Sequence, residues 1–443
     1  MLNFRKDLTN AREANNGKKQ ELTAIMRTLI FINLLRAIIH DKRTKEDARF
    51  KKAYFTRNRK LSFGDMLCLL LDMQKTALQA RLNHFFTATG QKVTMSEQAL
   101  SKARNQFDHS PFEKMLRSVV TEEYSGRHAV PRWREYHLLG ADGTTVQIPD
   151  TPQTREHFGV LGKNEGQACA GMSVLYDVLN GWVVDVTFGR CGMNERKELK
   201  KHIEYLVKDQ PGIAKKALLI MDRGYPSMDV IQAVEDAGMK YLCRCSKSFF
   251  TEVNAAPTGD SVVIHEKTGM KLRVIKLKRE KGEVKTLITN LFEEESSVFE
   301  ELYALRWGVE TAYETLKSQV CVEAFSGRTV NSIYQDMWAS MVLMNMMAVV
   351  RDEAQVKVDE ERKDKVNKHK YAPNIGHLII TLRDEMIFCR LRKDSELSAE
   401  QLERVVTKIA GCVRPVKPHR STPRKPSRSE RKRIPDNCKN RLA

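Results

Sequence analysis

Two short apolar runs, each cut off by an aspartate and a glycine-containing turn, constrain the fold of this 443-residue chain more than any other feature. Leu138-Leu139-Gly140-Ala141 ends in Asp142 and then Gly143-Thr144, and Ala217-Leu218-Leu219-Ile220-Met221 ends in Asp222 and then Arg223-Gly224-Tyr225. A run of that length bounded by a turn reads as a buried central strand, and the residue that ends it stands at the rim of a sheet. Two such strands side by side would present two carboxylates from one rim. Taken singly, either aspartate also fits an ordinary strand end. Asp150, after Val146-Gln147-Ile148-Pro149, competes with Asp142 for the first position.

The pattern around these runs predicts an α/β core. Leu138 to Asp142, Gly171 to Asp177 and Trp182 to Gly189 read as three consecutive strands, the last two joined by the hairpin signal Asn180-Gly181. A charged helix from Glu195 to about Lys208, the strand to Asp222, a helix from Ser227 to Ala237 and a strand from Lys240 to Cys245 follow. That order is the order of a ribonuclease-H-like mixed sheet. Residues 248–290 contain three further strand-like stretches, Val262 to Ile264, Lys271 to Lys278 and Thr286 to Leu291, which read as a β-rich insertion. Before the core, residues 1–130 are helical in pattern. A long amphipathic run extends from Phe63 to Phe86, and a second helix begins with a capping box of Thr94 and Glu97. The pair fits a helix-turn-helix that binds DNA and equally a plain helical hairpin.

A second signal lies downstream. Tyr303, Arg306, Glu310 and Lys317 stand at offsets of 3, 7 and 14 from the tyrosine. On one continuous helix, expected from Ser297 to Val320, they would share an arc of about 60°. A carboxylate flanked by two cations and a phenol on one face suits the grip on a phosphodiester beside a metal ion. A solvated charged face accounts for the same pattern, Tyr303 fits a core position as well, and Glu314 falls on nearly the same face as Glu310. Asp142, Asp222 and a helix-borne glutamate would form an oxygen-only cluster of the kind hard divalent cations prefer, and would repel one another without a cation between them.

The order Asp142, Asp222, Glu310, the texts Ala141-Asp142-Gly143-Thr144 and Asp222-Arg223-Gly224-Tyr225, and the run Tyr303-x2-Arg306-x3-Glu310-x6-Lys317 together resemble a DDE transposase of the insertion-sequence-four family, relatives of the Tn-five transposase. The resemblance covers about residues 136 to 350. It implies a ribonuclease-H-like core in two parts, residues 136–247 and 291–350, split by the β-rich insertion at 248–290. It also implies Asp142, Asp222 and Glu310 as catalytic metal ligands for two Mg ions, with Mn as a substitute. Tyr303, Arg306 and Lys317 would hold DNA near the cleaved end. The activity implied is cut-and-paste transposition by a homodimer on paired terminal inverted repeats, with a hairpin at the element end before insertion into target DNA. Another nuclease of the same fold and an inactive DNA-binding relative are the competing classes.

Composition agrees with a DNA partner. Net charge is +19, and residues 413–443 alone carry 11 Lys/Arg against 2 Asp/Glu, so both the body and a basic tail suit a polyanion through counterion release. The tail is expected to be disordered when free, and residues 351–412 to be a helical C-terminal region with a charged, solvated linker from Arg351 to Ala372. Nine scattered cysteines without a secretory leader suggest reduced thiols and a cytoplasmic, nucleoid-associated protein. The most apolar helix, Met337 to Val350, is too short to cross a bilayer and reads as buried.

Overall fold

The computed structural model describes residues 18–416 except 58–59, 73–76, 91–94, 127–129, 163–165, 247–248, 279–283, 366–368 and 392–397. Thr94 and all but the first four residues of the expected basic tail lie outside the described residues. The chain divides into two compact units.

The first unit takes in residues 123–145 and 171–314 and is built on one eight-stranded sheet. Its strands are β1 (His137–Gln147), β2 (Cys169–Asp177), β3 (Trp182–Arg190), β4 (Ala217–Met221), β5 (Lys240–Arg244), β6 (Gly259–Ile264), β7 (Lys271–Lys278) and β8 (Val284–Thr289), in the spatial order β3-β2-β1-β4-β5-β8-β7-β6. β1, β4 and β5 run parallel, and β8, β7 and β6 continue the sheet antiparallel. The first five strands in this order are the ribonuclease-H-like arrangement expected from the sequence. β4 is buried at all five positions and β2 at all nine, which is why both read as unbroken apolar or small-residue text rather than alternating text. Leu138, Leu218, Ile220 and Leu242 from the sheet pack with Phe299, Leu302 and Tyr303 in one apolar cluster.

The β-rich segment joins the main sheet. β8 pairs with β5 through Leu242↔Thr289, Cys243↔Ile288 and Arg244↔Leu287, so its three strands extend the main sheet. Local sequence fixes the strands but not their partner, because register is a long-range choice.

The second unit, residues 17–122, 146–170 and 315–443, is largely helical. The expected run from Phe63 to Phe86 is two helices, Phe63–Leu71 and Leu78–Ala88. The first stops at Asp72, whose buried carboxylate faces Arg81 at 3.5 Å and Arg383 at 3.8 Å. The next helix is Glu97–Arg104, capped by Ser96 through the Ala99 N–H rather than begun at Thr94. Val330–Glu361 is 32 residues long and runs 11 residues past the expected end, through text that looks wholly charged. Ala354 and Val358, four apart and both buried, keep one face packed there. Val413–Val416, the start of the expected tail, is a strand (β10) paired with Lys370–Pro373 (β9). The expectation of reduced thiols holds for Cys68, Cys243, Cys245, Cys321 and Cys412. It fails for Cys169 and Cys191, which are disulfide-bonded, with no short Cys-x-x-Cys spacing to announce it. Among the described residues no helix is long and apolar enough to cross a membrane.

Candidate active site

The parallel pairing of β1 with β4 sets the first two carboxylates. His137 to Gly140 lie opposite Ala217 to Ile220, and the same register carried two residues on brings Asp142 abreast of Asp222. The strand expected to end at Asp142 runs on to Gln147, whereas Asp222 does stand at a strand end. A nearby glycine N–H steadies each aspartate, Gly143 within β1 donating to Asp142 Oδ1 at 2.9 Å and Gly224 in the turn after β4 donating to Asp222 Oδ1 at 2.8 Å. The Tyr313 hydroxyl donates to the Asp142 carbonyl at 2.6 Å, tying the strand to the helix Trp307–Thr315 that carries Glu310.

That helix lies unusually close to β1. A Cβ on Gly140 would stand 2.5 Å from Val309 Cγ2 and 3.2 Å from Val178 Cγ1, and one on Gly308 would stand 3.3 Å from Val178 Cβ. Real carbon contacts are about 3.5–4.0 Å, so Gly140 permits an approach that no other residue would. The approach matters because Val309 directly precedes Glu310, and Gly140 comes two residues before Asp142.

The expected single helix is broken. Phe299–Ala304 ends one segment and Trp307–Thr315 begins the next. Between them Leu305, Arg306, Gly308 and Val309 make hydrogen bonds three residues back, so the chain is overwound. A π-helical turn, Leu316–Val320, follows. One angular count from Tyr303 to Lys317 therefore does not apply. Tyr303 and Glu310 stand on separate helices, Arg306 stands in the break, and Lys317 belongs to the second unit.

Arg306 Nη2 donates to Glu310 Oε1 at 2.6 Å, an ion pair with side chains 12% and 25% exposed. The charge of the guanidinium also acts on the Asp142 carboxyl, where it opposes the upward push of burial, and on the Tyr303 phenol. Tyr303 itself is buried in the core cluster with the Lys285 ammonium 4.6 Å over its ring. Of its two sequence readings, the ring takes the core one. Burial pushes the Asp142 carboxyl up to about 6, opposed by the Gly143 N–H and Arg306 and aided by the charges of Asp222 and Glu195. Glu314 is exposed. Asp150 belongs to the second unit, where Arg155 grips it bidentately with Nη2 at 2.7 Å from Oδ2.

Sequence reasoning missed Glu195. It opens a helix, reads as an ordinary first-turn acid, and reaches the site only because β3 and the following turn deliver it there. The donor set, carboxylate oxygens alone, fits a hard divalent cation in chemistry. In geometry, no three His, Cys, Asp or Glu groups among the described residues are close enough to hold a metal ion.

Residues 133–346, just under half of the chain, match the family model of the transposase DDE domain. The matched segment contains Asp142, Asp222 and Glu310 and supports a DDE transposase, a class that uses divalent metal ions. No curated protein matches the chain. Among solved structures, the piggyBac transposase synaptic complex with hairpin DNA is similar at a TM-score of 0.40 and 12% identity, over 91% of this chain and 88% of that chain.

Proposed function

We propose that this chain is a cut-and-paste transposase of the insertion-sequence-four type, which hydrolyses DNA at element ends and joins the freed 3′ hydroxyls to target DNA. The observation that carries the reading is the parallel register of β1 and β4, which sets Asp142, inside β1, beside Asp222, just past the end of β4, within the segment that matches the transposase DDE domain. Asp142, Asp222 and Glu310 would hold two Mg ions, or Mn in their place. Bound there, such ions activate the attacking oxygen and stabilise the leaving one in an in-line displacement.

The chain's own residues set the stage for that step. The glycine N–H groups keep each aspartate carboxylate oriented, and the Tyr313 hydroxyl pins the strand beneath Asp142. Arg306 pairs with Glu310 at 2.6 Å, and a guanidinium so placed would suit a DNA phosphate. Tyr303 and Lys317 would add further contacts to the DNA backbone near the cleaved end. The excess of basic residues favours duplex DNA as the partner. A homodimer on paired inverted repeats would place one such site at each end.

The test is cleavage of a supercoiled plasmid carrying the element's ends. Asp142→Asn, Asp222→Asn and Glu310→Gln should each abolish Mg-dependent cleavage and leave end binding in a gel-shift assay intact, whereas Glu314→Gln should cleave normally. Full cleavage by Glu310→Gln with loss in Glu314→Gln would reassign the third ligand. Cleavage without joining of 3′ ends to target would leave only a nuclease.

A further inference from the structure

The register that sets the two aspartates side by side continues onto a third parallel strand, and the residue it reaches there is a cation. β4 pairs with β5 through Ile220↔Leu242 and Met221↔Cys243, so the same register carried one residue on brings Arg244 beside Asp222. Across β1, β4 and β5 the row is Asp142, Asp222, Arg244.

The three side chains also share a face. Side chains alternate between the two faces of a strand. Leu138, Leu218, Ile220 and Leu242 belong to the apolar cluster of Phe299, Leu302 and Tyr303, and steps of two residues along each strand lead from them to Asp142, Asp222 and Arg244. On its other side Arg244 lies opposite Leu287 of β8, a further member of that cluster. Arg244 therefore belongs to the face on which Tyr303 packs. Burial pushes the Tyr303 phenol up, and the charges of Arg306 and Arg244 oppose that push, one from the break between helices and one from the sheet.

The other cations here are engaged. Arg306 pairs with Glu310 at 2.6 Å. Lys285, two residues before Leu287, is buried, stands 3.9 Å from Glu300 and holds its ammonium 4.6 Å over the Tyr303 ring. Arg244 is exposed, and its side chain makes no hydrogen bond or ion pair among the described residues. Asp222 Oδ1, on the neighbouring strand, accepts the Gly224 N–H at 2.8 Å instead.

An exposed arginine at a strand end is ordinarily a solvated surface charge. This one continues a row of carboxylates on the sheet face that also carries Tyr303. Neighbouring strands lie about 4.8 Å apart, on the scale of one step along a nucleic-acid backbone. A DNA strand whose cleaved bond sits at Asp142 and Asp222 brings the next phosphate toward Arg244, and a guanidinium can take a phosphate with two parallel hydrogen bonds.

We propose that Arg244 binds the backbone phosphate adjacent to the cleaved bond, an inference that rests on the transposase reading given above. It takes that phosphate from the sheet side of the site, and Arg306 approaches the DNA from the helix side.

The test is binding of a duplex carrying the element's end to the full-length protein, followed by fluorescence anisotropy over a KCl series, with plasmid cleavage measured alongside. Arg244→Gln should melt as wild type, weaken end binding roughly tenfold and lower the slope of log affinity against log salt by about 1. Arg244→Lys should keep the slope. Lys208→Gln, which removes an exposed cation at the far end of the helix Glu195–Asp209, should bind as wild type. A neutral methylphosphonate in place of the phosphate adjacent to the cleaved bond should weaken binding by the wild-type protein and leave binding by Arg244→Gln unchanged, because the contact it removes is already missing. Wild-type affinity and slope in Arg244→Gln, equal losses from the methylphosphonate in both proteins, or a lowered melting temperature in Arg244→Gln would overturn the inference. Any of these with Mg-dependent cleavage by the wild-type protein would spare the transposase reading; a wild-type protein that neither binds nor cleaves the end would overturn both.

Discussion

Gly140→Ala tests how the third carboxylate is brought to the first. The new methyl would lie 2.5 Å from Val309 Cγ2, against about 3.5–4.0 Å for an ordinary carbon contact. Relief requires the helix Trp307–Thr315 to withdraw from β1 by roughly 1 Å, since Val178 Cγ1 at 3.2 Å closes the other direction. Overpacking of this kind costs about 1–3 kcal/mol, and a misplacement of about 1 Å at a reacting centre can cost on the order of 100-fold in rate. The variant should therefore fold with a melting temperature lower by several degrees and lose most of its Mg-dependent plasmid cleavage. Adding Val309→Ala removes the methyl that is struck, so the double variant should recover cleavage beyond what the two single changes predict together. Wild-type cleavage and melting in Gly140→Ala, or strict additivity in the double variant, would refute the claim that this close approach sets the distance between Asp142 and Glu310.

Two predictions concern the helical unit. Arg104 donates to Gln335, Ser326, the Ser332 carbonyl and Asp336, the last at 2.9 Å with both side chains essentially inaccessible. Arg104→Ala should cost roughly 3–5 kcal/mol in urea denaturation, because it strips the guanidinium from a buried carboxylate; a loss under about 1 kcal/mol would show that the network is slack. Glu353, buried and bonded by the Thr28 hydroxyl, has its pKa raised by burial from 4.5 to about 7. A carboxyl that holds its proton more tightly when folded penalises stability above its folded pKa, and the penalty fades as pH falls through about 7 toward 4.5. Stability should therefore drop by up to about 3 kcal/mol between pH 5 and pH 8 from this group. Glu353→Gln should flatten that dependence; an unchanged pH profile would assign it elsewhere.

The division between what was legible in the sequence and what was not follows the range of the interactions. Asp222 was legible as a strand-end residue because a buried strand, its abrupt end and its turn are all written within about ten consecutive residues, whereas the end read at Asp142 was not there: β1 continues through Gly143 to Gln147, where pairing with neighbouring strands overrides the local turn signal. The broken helix was not legible either, since the overwinding at Leu305 and Arg306 accompanies the tight packing of Gly308 and Val309 against strand residues more than a hundred positions away. The place of β8 beside β5 and the burial of Ala354 within charged text were hidden for the same reason.

Sequence alone determined that two buried apolar strands of an α/β core would carry Asp142 and Asp222, because strand patterning is local. Only tertiary structure decided which further groups meet them. Glu195 approaches Gly143 and Gly224 through the absence of two side chains, and the helix that carries Glu310 packs on β1 through the absence of a third, at Gly140. A missing atom leaves no mark on local pattern until another part of the chain fills its space.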